Sequence, residues 1–178
     1  MKTLYLFPTL EESALLCDLR PELRAQVEII GVGMAEAGAN AAKAIARREP
    51  QRVVLGGIAG ACDHRVEVGT VVQVESDRVA GLPEKYSTEY SSSTIEGLCL
   101  VESLTVNRTG ESLAMAASDL PRIEQMEGAA VAAACKAFGV EEYYHLRAIS
   151  NYVDDARSAW RIKDAVEALG ELLAKQNL

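Results

Sequence analysis

Apolar positions in this chain fall in short blocks whose spacing alternates between strand-like and helix-like. "TLYLF" reads as a first strand, and "LEESALLCDL" after it has helical spacing, with Leu15 and Leu16 following Glu11 and Glu12. "AQVEIIGVG" predicts a second strand that ends in glycines. "MAEAGANAAKAIARRE" predicts an alanine-rich amphipathic helix. Its Ala and Ile positions form one face, and its Lys and Arg residues gather towards the C-terminal end, where the helix dipole favours them. Pro50 stops it. "RVVLGGIAG" is nearly all apolar, as a strand covered on both faces should be. Strand, helix and strand at this spacing predict a βαβ unit with a right-handed crossover.

Further along, "GTVVQVES", "GLCLVESLTV" and "YYHLRAIS" are strand candidates. "EGAAVAAACKAF" predicts a helix of small residues, and "DARSAWRIKDAVEALGELLAK" predicts a C-terminal helical segment from Asp155 onward. The intervening "AGLPEKYSTEYSSSTIE" is polar and rich in turn formers, so it is expected to be a surface loop. With no internal repeat, low-complexity tract or linker, one α/β domain over residues 1–178 is the expectation.

Composition narrows the function. The chain has 178 residues and a formal net charge of −8. That balance argues against non-specific nucleic-acid binding, which needs a basic footprint, though not against a local cationic pocket. No apolar run is long enough to span a bilayer. In "MKTLYLFPTLEES" acidic residues follow the apolar stretch at once, with no small-residue cleavage site, so no signal peptide is expected. Cys17, Cys62, Cys99 and Cys135 are far apart with no CxxC pair, and are expected to be buried free thiols in a reducing cytoplasm. His64 and His145 share no ligand-like spacing, so neither a metal nor another cofactor is expected.

Two glycine clusters invite a phosphate-loop reading. In "GVGMAEAG" Gly31 and Gly33 fit a dinucleotide fingerprint, but its third glycine position is Glu36. Gly33 and Gly38 have P-loop spacing, but Ala39 and Asn40 follow in place of the lysine and hydroxyl residue. Glycines at a strand end that let the chain turn and approach a ligand or helix closely are the better account. "GGIAGAC" at the end of the third strand fits a pocket floor and plain strand–helix packing equally well.

Two polar residues stand out against apolar surroundings. Glu127 in "QMEGAAVAAAC" opens a helix of small residues. The helix dipole favours a carboxylate there, and a buried carboxylate needs partners, which ligand hydroxyls would supply. Asn151 in "RAISNYVDD" ends an apolar strand, as a helix cap, a turn residue or a ligand contact.

Taken together, "QMEGAAVAAAC", "FGV" and "RAISNYVDD" resemble the nucleoside phosphorylase/nucleosidase family, in the family's order. "LGGIAGACDHRVEVGTVVQVES" is similar to its Gly-x-Ala-Gly segment and following Val-Gly-Asp-[Val/Ile]-Val, and "MKTLYLFPTLEESALL" to the nucleosidase start. "MEGAAVA", "RAISNYV" and the following Ala159-Trp160 are most similar to the futalosine hydrolase branch. The likeness covers most of the chain and is weakest from about Arg78 to Ser118, where the chain is short for the family.

The resemblance implies a single-domain three-layer α/β fold with a central mixed, mostly parallel sheet. It also implies a homodimer or larger homo-oligomer, with a small-molecule purine nucleoside as substrate. Residue by residue, it implies that Glu12 orients and deprotonates the attacking water, that Met126 packs on the ribose and that Glu127 accepts from the ribose hydroxyls. Ala59 and Gly60 would line the pocket, Asn151 would hold the leaving base with Ser150 beside it, and Arg147 would support their loop. Ile58 stands where many relatives carry a small polar residue.

The residue types suit this chemistry. Breaking an N-glycosidic bond builds positive charge on the sugar and negative charge on the purine, so a carboxylate near the sugar and a polar group at N7 both help. The family's phosphorylases attack with phosphate held by a glycine-and-arginine loop. Here that loop is "FPTLEES", with Glu11 and Glu12. A like-charge contact costs roughly 4 kcal/mol at 4 Å and an effective dielectric of 20, so water is the expected nucleophile. Adenine-releasing relatives end the last motif in aspartate. The Asn151 amide pairs one donor with one acceptor, which suits O6 and N7–H of hypoxanthine. A substrate carboxylate would meet Arg78, Lys85, Arg108, Tyr86 or Tyr90. The apolar residues of "ASDLPRIEQ" would stack on the base or pack.

Overall fold

The computed structural model describes residues 1–111 and 118–178. Its first strand, β1 (Thr3–Phe7), is buried along its whole length, and the alternation of its side chains sorts the molecule into layers. Leu4 and Leu6 pack on one side with α2 (Met34–Arg48) and α3 (Gly128–Ala137). Tyr5 and Phe7 pack on the other with α1 (Leu10–Leu19) and α4 (Ile162–Lys175). Helix α2 presents Ala37, Ala41, Ala44 and Ile45, one face at helical spacing, against Val131, Ala132 and Cys135 of α3. Small side chains there let the two helices lie close over the sheet.

One eight-stranded mixed sheet carries these helices, with mostly parallel pairings. β2 (Val27–Ile29) and β3 (Arg52–Ala61) flank β1 in parallel, as the βαβ expectation requires. β8 (Glu142–Tyr152) runs parallel to β3, and β4 (Val71–Val79) runs antiparallel to β8. β6 (Leu100–Thr105) is parallel to β4, and β7 (Arg122–Gln125) is parallel to β6. β7 then returns to β3 through Gly60↔Glu124 and Ala61↔Ile123. The strands β3, β8, β4, β6 and β7 therefore close a ring, filled at one end by Ala59, Val72, Val74, Val101, Ile123 and Ile149. β5 (Tyr90–Ser91) pairs with the part of β4 that β8 leaves.

Several elements depart from the sequence expectation. β7 was not predicted, because "RIEQ" offers only Ile123 as an apolar strand signal, yet all four of its residues are buried. Its other side chains are covered by polar partners, a kind of burial that hydropathy does not register. The second strand is shorter than expected, since Pro21–Gln26 form a 3-10 turn before β2. The C-terminal helix begins at Ile162, after a separate 3-10 turn at Arg157–Ala159. The polar segment after β4 is a loop apart from a 3-10 turn at Glu84–Tyr86 and the two residues of β5. All four cysteines are free, but only Cys135 is buried, and Cys99 is exposed. Among the described residues no helix is long and apolar enough to cross a membrane.

Candidate active site

Helix α1 starts with a Thr-x-x-Glu capping pair. Thr9 accepts from the backbone N–H of Glu12 at 3.3 Å and donates its hydroxyl hydrogen to Glu12 Oε2 at 2.7 Å. Glu12 Oε1 accepts from the Ile58 N–H of β3 at 2.9 Å. The side chain is buried, and burial pushes its carboxyl above the ordinary glutamate range. The bonds from Thr9 and Ile58 and the Arg147 charge oppose that shift, and the Glu127 charge adds to it. A carboxylate held on two donors, with a raised proton affinity, has the character of a general base.

Glu127 is the residue immediately before α3. Its Oε2 accepts from both terminal nitrogens of Arg147 at 3.2 Å, and its Oε1 accepts from the Gly33 N–H at 3.1 Å. Gly33 has a positive φ of 88°, the turn glycine that the strand end called for, and it brings a backbone donor to a side chain far along the chain. Arg147 also donates to Ile58 O, Gln125 Oε1 and His145 Nε2 at 3.1, 3.0 and 2.8 Å. The resemblance implied that Arg147 supports the loop carrying Asn151. Its contacts instead brace Glu127 and the edge of β3. A Cβ at Gly57 would collide with the Arg147 guanidinium, so a glycine there makes room for the arginine.

A β-bulge explains how two successive residues of one strand both reach the site. In the β3–β8 pairing Ala59 faces Ile149 and Gly60 faces Asn151, leaving Ser150 as the extra residue. The bulge breaks the two-residue alternation, so Ser150 and Asn151 both line the cleft. Ser150 donates to Asn151 Oδ1 at 2.7 Å, and Asn151 Nδ2 donates to Tyr152 O at 2.7 Å. One donor and one acceptor position of the amide remain for a ligand. Gly60 lets the β3 backbone come close, since a Cβ there would stand 3.1 Å from Asn151 Nδ2.

These groups converge on a cleft of about 280 Å³. The residues nominated from sequence for catalysis and for ribose and base contacts line it: Glu12, Ala59, Gly60, Met126, Glu127, Arg147, Ser150 and Asn151. The glycine cluster of the third strand serves both readings, since Ile58, Ala59 and Gly60 line the cleft while Gly56 and Gly57 make room for Phe7 and Arg147, and Asn151 is neither a helix cap nor a turn residue. Sequence reasoning left Gln125 and Arg157 without roles. Gln125 stood inside the quoted motif, but nothing marked its amide as a hub. Arg157 lines the cleft and stacks on Trp160, 4.1 Å from the ring centroid. Arg78, Lys85, Arg108, Tyr86 and Tyr90, nominated to meet a substrate carboxylate, do not line it. Lys85 and Tyr86 belong to the loop after β4, and Arg78 lies on β4 itself. Within "ASDLPRIEQ", Ile123 packs in the ring core, while Ala117 lies outside the described residues. Among the described residues no group of His, Cys, Asp and Glu could hold a metal ion.

No protein-family model matches the sequence, and no curated protein matches it. Solved structures do match the fold. A mutant 5′-methylthioadenosine nucleosidase of Helicobacter pylori, with 5′-methylthioadenosine in its active site, superposes with a TM-score of 0.82 at 16% identity, covering 97% of this chain and 96% of that one. The native futalosine hydrolase of the same organism gives 0.82 at 16%, covering 97% and 95%. The 5′-methylthioadenosine/S-adenosylhomocysteine nucleosidase of S. pneumoniae, with a transition-state inhibitor, gives 0.82 at 14%, covering 98% and 97%. The chain shares the fold of these nucleosidase and hydrolase structures, as its motifs led us to expect.

Proposed function

We propose that this protein is a purine nucleosidase that cleaves an N-glycosidic bond with water. The observation that carries the reading is the meeting of Glu12, Glu127 and Asn151, from three separated segments, on one cleft. Glu12 accepts a proton as water attacks the anomeric carbon. The C1′–N9 electron pair leaves with the purine, which takes up a proton from solvent at N7. Glu127 accepts from the ribose hydroxyls and offsets positive charge on the sugar. Met126 packs on the ribose beside it. Asn151 holds the base through its free donor and acceptor, with Ser150 fixing the amide's sense.

Within that class the substrate we favour is futalosine, giving hypoxanthine and dehypoxanthine futalosine in menaquinone biosynthesis in the cytoplasm. Asn151 offers N–H to O6 and a carbonyl to N7–H, a pairing suited to a 6-oxopurine. Arg157, on the cleft wall, offers a cation to a carboxylate on the 5′ substituent. The competing reading is an adenine nucleosidase, favoured by the equal likeness to a structure that holds 5′-methylthioadenosine. A second copy of the chain would cover the apolar rim at Val32, which lines the cleft yet is 51% exposed, giving a homodimer or larger homo-oligomer. Light scattering on the purified protein reads that state, and a monomer refutes it.

Product chromatography on futalosine, aminofutalosine, methylthioadenosine and inosine, each with and without phosphate, tests the function. Hypoxanthine released from futalosine fastest and independently of phosphate is the expected result. Faster adenine release moves the assignment to the adenine nucleosidases. Accumulation of a ribose 1-phosphate ester makes the protein a phosphorylase, and release of no base leaves a nucleoside-binding relative.

A further inference from the structure

Asp77 of β4 is 1% exposed, lies behind the cleft and takes no part in the steps above. Its carboxylate accepts from the Thr105 hydroxyl at 3.0 Å and from Gln125 Nε2 at 3.0 Å. His145 Nδ1 stands 3.8 Å away. An ionised carboxylate only accepts, so it fixes the sense of both partners. With its hydrogen turned to Asp77, Thr105 Oγ1 is left to accept, and it does so from the Ala129 N–H at 2.8 Å. With its NH₂ turned to Asp77 at 3.0 Å, Ser103 Oγ at 3.0 Å and Thr105 Oγ1 at 2.8 Å, Gln125 presents Oε1 to the Glu127 N–H at 2.8 Å, the Gly128 N–H at 2.6 Å and Arg147 Nη2 at 3.0 Å. The opposite sense of that amide would set an NH₂ against these donors. The first N–H groups of α3, which no residue of the helix can satisfy, thus depend at one remove on Asp77. Gly128 is the matching feature, since a Cβ there would collide with Asp77 Oδ2.

We propose that Asp77 is a positioning residue for Glu127: by fixing the donor–acceptor sense of Thr105 and Gln125, it sets the aim of the Glu127 carboxylate and of its partner Arg147. The inference rests on the nucleosidase reading only for what Glu127 touches, the ribose hydroxyls. The groups facing Asp77 are Thr105 and Ser103 on β6, Gln125 on β7, His145, Arg147 and Tyr143 on β8, and Glu127 before α3. Burial and the Arg147 charge hold His145 well below the usual histidine range, so it stays neutral. Burial holds Tyr143 well above the usual tyrosine range. Asp77 changes charge near neutrality, its carboxyl pushed up to about 7 by burial.

The test compares kcat/KM for futalosine and its 2′-deoxy analogue in wild type, Asp77→Asn, Thr105→Val and Thr105→Ser. The ratio of the two cancels any step common to both substrates, including proton transfer to Glu12. The expected preference for the ribonucleoside drops roughly tenfold or more in Asp77→Asn and Thr105→Val, about the worth of one charge-assisted hydrogen bond, and is kept in Thr105→Ser. In wild type the ratio rises with pH through neutrality, and in Asp77→Asn it is flat. An unchanged ratio in Asp77→Asn overturns the proposal. Backbone amide exchange gives a reading that needs no turnover. Glu127, Gly128 and Ala129 exchange faster in Asp77→Asn while the rest of α3 does not, and unchanged protection there overturns the proposal even if no nucleoside is cleaved. Failure of wild type to cleave any nucleoside overturns the nucleosidase reading alone. Should Asp77→Asn not fold, wild-type exchange on either side of neutral pH gives the same comparison.

Discussion

Arg147 and Glu127 form an ion pair at 3.2 Å in which both side chains are almost wholly removed from solvent. Such a pair is costly to break from one side, because the remaining charge stays buried. Arg147→Met is expected to destabilise the protein by about 3–5 kcal/mol, and Glu127→Gln by a similar amount offset in part by the hydrogen bonds the amide keeps. The double variant should lose less than the sum of the two. Urea unfolding of the three proteins measures it, and strict additivity would show that the pair is not coupled.

Glu12 has no buried cation as its main partner, so its replacement separates chemistry from folding. Glu12→Gln should keep the native circular dichroism spectrum while base release falls by about 10²–10⁴-fold. Because burial raises the Glu12 carboxyl, wild-type kcat/KM should decline as pH falls, beginning above the ordinary glutamate range. Wild-type turnover by Glu12→Gln removes the residue from the mechanism.

Asp77 makes a prediction about stability. Its folded pKa of about 7 lies above the ordinary value of 3.8, so the native state holds a proton that the unfolded chain has released. The associated stability is fully present below the unfolded value and is lost as pH rises through about 7. Relative to Asp77→Asn, wild type should therefore weaken by up to about 1.4 kcal/mol per pH unit across that window and level off above it. Denaturant titrations at several pH values read this difference, and parallel curves would contradict it.

Asn151→Asp replaces an amide with an acid that can pass a proton to N7. Adenine release from methylthioadenosine should rise relative to hypoxanthine release from futalosine. If the ratio of the two kcat/KM values is unmoved, base choice lies elsewhere in the cleft.

Arg157→Ala should lower kcat/KM for futalosine by roughly tenfold to a hundredfold, the worth of one charge-assisted hydrogen bond, while leaving an uncharged nucleoside nearly untouched. Equal losses on both substrates would mean that Arg157 only supports Trp160.

How much of this was legible before the fold was known depends on the kind of signal. The strands that form the apolar layers were visible because β1, β3 and β8 are sequence-continuous runs of buried residues. Glu127 and Asn151 were visible because each is a polar residue in an apolar setting, within a motif that resembles a family, whereas Glu12, beside Glu11 at an acidic helix start, was visible only through that resemblance. β7 was not, because its burial is satisfied by hydrogen bonds that only the closed ring creates. The same applies to Asp77 and Gln125, whose partners come from other strands of the ring. Arg157 was missed because it lies in a turn that follows no period, and its place on the cleft wall depends on where α4 docks.

The bulge at Ser150 has a bearing on how such a site changes over generations. A substitution at Asn151 alters which base is held and leaves the backbone in place. Loss of one codon between Leu146 and Ser150 would restore regular pairing with β3 and turn alternate side chains over. Specificity can therefore drift by point mutation while the length of β8 stays frozen. Chain length along this strand, more than residue identity at any one position, is the trait to compare when asking which distant relatives keep the same pocket.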